Sequence, residues 1–82
     1  MESESLQARI QHEIAELRAA YPRISACHAT LDEWHEEQGA LYALRLDIRW
    51  PQHQSLLSGP GRDSADKAVG AAFDAAARHL GG

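Results

Sequence analysis

Four sets of side chains in this sequence have chemical potential: one cysteine, five histidines, a dense run of carboxylates and a scatter of arginines. Cys27 with His28 or His53 has the composition of a nucleophile and its base. Neighbouring residues of a strand point to opposite faces, so Cys27 and His28 cannot pair directly if that stretch is extended. A lone thiol in a strand is the usual small packed hydrophobe, and one cysteine leaves no internal disulfide. His12, His28, His35, His53 and His79 are dispersed over different segments, and none shows the paired spacing of a zinc site. "WHEEQ" lacks the second histidine of a zincin helix. Ser55, Ser58 and Ser64 have no nucleophile-elbow context. "SGPGRDS" precedes a predicted helix, whose N-terminus can attract an anion, but it matches neither the Walker nor the dinucleotide pattern and reads as a turn. The expectation is a non-enzyme with no metal and no cofactor.

The carboxylates gather in "DEWHEE", residues 32–37, which holds Asp32, Glu33, Glu36 and Glu37. The chain carries 12 acids against 8 Lys and Arg, a net charge of -4. That overall sign disfavours nucleic acid, whose phosphates need clustered bases. Yet without this one run the remaining acids and bases balance, so a local basic face is permitted. The run is expected as a solvated hairpin tip or as a lure for a basic partner. Trp34 within it either folds back on the domain edge or awaits a partner, which makes Trp34, Glu36 and Glu37 the candidate protein-interaction residues.

The arginines depend on a strand. In "QGALYALRLDIRWP", Tyr42, Leu44, Leu46, Ile48 and Trp50 alternate with Ala43, Arg45, Asp47 and Arg49. This period of two predicts a half-buried strand with arginines on the uncovered side. Arg45 and Arg49 there, Arg23 before the preceding strand and Arg78 late in the last helix either pair with nearby acids in water or offer guanidinium groups to phosphate.

Other elements must position these groups. Leu6, Ile10, Ile14, Leu17 and Tyr21 form one apolar stripe, predicting a helix from about Ser5 to Ala20, with Ser3 or Ser5 as cap and Pro22 as stop. "RISACHATLD" is a weakly alternating strand, joined through the acidic run to the long strand that Gly39 opens. Pro51 closes that strand, "SLLSG" is a short edge strand, and "GPGRDS" is a loop. A second helix begins near Asp63 or Ser64 and buries Ala65, Val69, Ala72, Phe73, Ala76 and Leu80. The order α-β-β-β-α predicts a two-layer α+β sandwich, with both helices on one face of a three-stranded, mainly antiparallel sheet. Eighty-two residues make one domain, residues 1–82, near the lower size limit for folding alone. The acidic start is unlike a signal peptide and no run is long enough to span a membrane, so cytoplasm is the expected compartment.

Three pieces, "YPRISACHATLDEWH", "QGALYALRLDI" and "AAFDAAARHL", together resemble the ribosome hibernation-promoting factor family, also called ribosome-associated inhibitors or sigma-modulation proteins. The likeness runs from about Leu6 to Leu80 and includes Cys27, His35, Arg45, Arg78 and the Tyr-Pro-Arg-Ile lead-in to the first strand. It implies a β-α-β-β-β-α domain on the small ribosomal subunit, meeting ribosomal RNA through Lys and Arg and silencing or protecting idle ribosomes. Arg23, Arg45 and Arg78 fall on basic places of the family pattern. Arg49 and Lys67 are further RNA-binding candidates from this sequence only. The chain departs from the pattern in entering its first helix almost at once, without the usual first strand. Its last helix is also poorer in bases, with Gly70 and Ala77, and its hairpin is more acidic. A missing strand leaves an open edge beside "RISACHATLD", through which a homodimer is expected. The alternative to RNA binding is a divergent protein-interaction module that self-associates through that edge.

Overall fold

A computed structural model describes residues 2–81, with side chains from residue 6 onward. The chain runs α1 (Glu2–Ala20), β1 (Ala26–Glu36), β2 (Gly39–Arg49), β3 (Gln54–Ser58) and α2 (Ala65–Gly81). The strands form one antiparallel sheet in the order β1-β2-β3. This is the expected α+β order. The expected capping by Ser3 or Ser5 falls outside the described side chains, while the helical backbone already begins at Glu2. At the start of α2, Ser64 Oγ accepts a hydrogen bond of 3.2 Å from the Lys67 amide, the N-cap geometry.

Alternation along β2 assigns the two sheet faces. Leu44, Leu46 and Ile48 are fully buried with Val69, Ala72, Phe73 and Ala76 of α2 and Leu17 of α1, and Leu6, Ile10 and Ile14 pack around them. Both helices therefore lie on the Leu44–Leu46–Ile48 side. Each such side chain stabilises by about 1.5–3 kcal/mol on burial, so this shared layer holds the domain together. Alanines let α2 sit close. A Cβ built at Gly59, just after β3, would lie 2.9 Å from Ala72 Cα.

The acidic run is strand rather than loop. Pairing continues without a break from Ala26↔Arg49 to Glu36↔Gly39, leaving a turn of only Glu37 and Gln38. The positive φ of this turn region, 128°, falls on Gly39, where a missing Cβ makes it tolerable. Alternation was invisible here because Glu33, Trp34, His35 and Glu36 are exposed on both faces. With no apolar side there is no period to read.

Candidate nucleic-acid interface

The sheet face opposite the helices carries its side chains in register rows. Ala26, Arg49 and Gln54 make one row; His28, Asp47 and Leu56 the next; Thr30, Arg45 and Ser58 the third. Among the described residues, no helix covers this face. Arg45 and Arg49 both project from it, as the alternation predicts, two rows apart on one strand.

Each is already engaged. Arg45 Nε donates to Asp32 Oδ2 at 2.6 Å, and its Nη2 to Asp32 Oδ1 at 3.3 Å. Arg49 Nη2 donates to Asp47 Oδ2 at 3.1 Å, and the Gln54 amide donates to Asp47 Oδ1 at 2.7 Å. The Gln54 hydrogen bond, then that of Arg49, holds the Asp47 carboxyl below its ordinary range. Both arginine pairs are exposed, and such pairs contribute about 0–1 kcal/mol.

The other candidates lie elsewhere. Arg23 sits in the turn before β1, lining a groove with Pro22, Trp50, Pro51, Gln52 and His53, at the same end of the sheet as Arg49. Trp50 and His53 stack there with ring centroids 4.3 Å apart. Lys67 and Arg78 belong to α2, in the layer on the other side of the sheet, and Lys67 Nζ pairs with Asp63 at 3.2 Å. The five candidate cations therefore do not share one patch. Arg45 and Arg49 form the face, Arg23 lies at its end, and the α2 pair is separated from it by the sheet.

Trp34 occupies the far end of the open face, with Leu41 as its register partner. A Cβ at Gly61 would come 3.2 Å from Trp34 Cζ2, so the indole crosses β2 to reach the segment after β3. This accounts for Ala43, which is buried although it lies on the uncovered face. Trp34 still keeps 39% of its surface exposed. Glu36 and Glu37, its companions among the interaction candidates, are exposed at the hairpin end.

Cys27 is buried against the core, and desolvation raises its thiol pKa despite the nearby Arg18 guanidinium. That is the environment of an inert structural thiol. Among the described residues, no three His, Cys, Asp or Glu side chains are grouped to hold a metal ion, and no helix is long and apolar enough to cross a membrane. Three arginines lie outside the sequence candidates, and one of them, Arg18, donates from Nη2 to the Ser25 carbonyl at 3.3 Å. Arg9 links the helices, donating to Asp66 Oδ1 at 2.8 Å, and Arg62 is held against β2 by paired backbone hydrogen bonds with Tyr42 of 2.7 Å each. The Arg9–Asp66 bond joins residues 57 positions apart and had no local signal.

Compared with protein-family models, curated proteins and solved structures, the chain matches none.

Proposed function

We propose that this domain is a ribosome-associated factor of the hibernation type, binding small-subunit ribosomal RNA and acting without catalysis. One observation carries the reading: among the described residues no helix covers the sheet face on which Arg45 and Arg49 stand in line. The resemblance noted in the sequence supplies the ribosomal context, and the α-β-β-β-α order agrees with it apart from the first strand.

Little energy holds the existing partners at this face. An exposed Arg–Asp pair contributes about 0–1 kcal/mol. A phosphate oxygen therefore competes for either guanidinium, and Arg23 at the end of the face extends the contact. Asp32 and Asp47 remain nearby and moderate the attraction.

The test is co-sedimentation of the full chain with small ribosomal subunits at low and raised salt. Binding is expected at low salt and falls steeply as salt rises. In Arg45→Glu, Arg49→Glu the log–log salt slope drops by roughly 2, one lost phosphate contact per arginine. Absence of binding at low salt, or undiminished binding by the double variant, overturns the proposal.

A further inference from the structure

We propose that two copies of this chain pair antiparallel through the outer edge of β1, on a two-fold axis at Leu31. The inference rests on the fold alone and stands independently of the ribosomal reading. Among the described residues β1 has a partner on one side only, so a row of N–H and C=O groups along its eleven residues faces outward. The other free edge is less suited. β3 has five residues, with Pro51 shortly before it and Pro60 shortly after, and short proline-flanked edges resist pairing.

Apolar exposure points to the same edge. Of the exposed large hydrophobic residues Leu31, Trp34 and Leu56, Leu31 lies on β1 at the proposed axis, whereas the Trp34 indole leans the other way, over β2. On the helix side, a groove between α1 and β1 is lined by Leu6, Ile10, Ile14, Cys27, Ala29 and Leu31 together with the polar Gln7, Gln11, Arg18 and His28. A second β1 continues the sheet, and its own α1 then approaches from across the axis on the same side, closing this groove against its mate.

Charge and length of pairing together select the register. With the axis at Leu31, all of Ala26–Glu36 pairs with its copy. Leu31 meets the partner's Leu31; Ala29 and Cys27 meet the partner's Glu33 and His35. On the open face Thr30, His28 and Ala26 meet the partner's Asp32, Trp34 and Glu36. No like charges stand opposite one another. Moving the axis to Asp32 sets two Asp32 carboxylates face to face, and moving it to Glu33 does the same with Glu33. Like charges directly opposite destabilise a pair of strands. Moving it to Thr30 shortens the pairing to Ala26–Trp34 and takes Leu31 off the axis. The acidic residues of β1 thus reject the axes at Asp32 and Glu33, and of the registers that remain the one on Leu31 pairs the whole strand.

Sedimentation velocity on the full chain tests this. The wild type is expected to shift from monomer to dimer as concentration rises. Leu31→Lys and Leu31→Glu, each checked for folding by circular dichroism, are expected to weaken the dimer about tenfold or more. An equimolar mixture of L31K with L31E is expected to dimerise again, because on this axis residue 31 meets only its own copy. A wild type that stays monomeric up to roughly 1 mM, a Leu31→Lys protein as dimeric as wild type, or a mixture that fails to recover would overturn the proposal.

Discussion

Arg45 and Asp32 are diagonal neighbours on the open face, joined at 2.6 Å although the register sets Arg45 opposite Thr30. Long side chains reach such diagonal positions across an antiparallel pair. The positive charge of the face is consequently answered in place, once by Asp32 and again by Asp47 beside Arg49.

Removing those carboxylates tests what the arginines are for. In Asp32→Asn, Asp47→Asn both guanidinium groups keep their strand positions and lose their charged partners. Affinity for small ribosomal subunits at low salt is expected to rise about tenfold, with a steeper salt dependence. Co-sedimentation titration measures this; an unchanged affinity means phosphate does not meet this face.

Asp47 also makes stability depend on pH. Its folded carboxyl titrates below its ordinary value because the Gln54 amide and Arg49 guanidinium favour the charged form. The unfolded group titrates near 3.9, roughly. The stabilisation is therefore complete above that value and is lost as pH falls through the lower, folded one. Urea midpoints compared at about pH 6 and about pH 3 should fall less for Asp47→Asn than for wild type.

Gly59→Ala should destabilise by about 1–3 kcal/mol through overpacking. The new methyl would meet Ala72 at its Cα, Cβ and amide nitrogen, and backbone atoms of a packed helix cannot step aside as a flexible side chain does. Chemical denaturation reads the loss.

Two leucines on opposite faces should separate cleanly. Leu44 is fully buried, and Leu44→Ala is expected to cost about 2–5 kcal/mol, much of the total for a domain of this size. Leu56 is 75% exposed on the open face, and Leu56→Ser should change stability by less than about 0.5 kcal/mol. Equal effects in denaturation midpoints would contradict the assignment of faces.

The sequence revealed the parts of the fold in which one side is wet and the other dry. The alternation from Tyr42 to Trp50 and the stripe from Leu6 to Tyr21 are imprints of a single covering layer. Where both sides are wet, as from Glu33 to Glu36, the same reasoning had nothing to detect and composition suggested a loop. Ala68 was overlooked in the buried face of α2 because alanine is at home in either environment. The open face itself was legible, with Arg45 and Arg49 on it. Their pairing was not, since Asp32 reaches Arg45 through a register that periodicity does not specify. Lys67 and Arg78 share a positive charge with the sheet arginines, but composition carries no information about which layer a helix residue occupies.

The β1–β2 hairpin is the longest part of the sheet, and the domain measures 41 × 25 × 18 Å. Near Cys27 and Ile48 the hairpin's two strands are clamped by the core, whereas Glu36 and Gly39 are exposed. Amide protons should accordingly exchange with solvent in a gradient, slowly at the clamped root and quickly at the tip, because opening the tip exposes little buried apolar surface. The longest element of the sheet is thus firm at one end and compliant at the other, a flexible finger on a rigid palm.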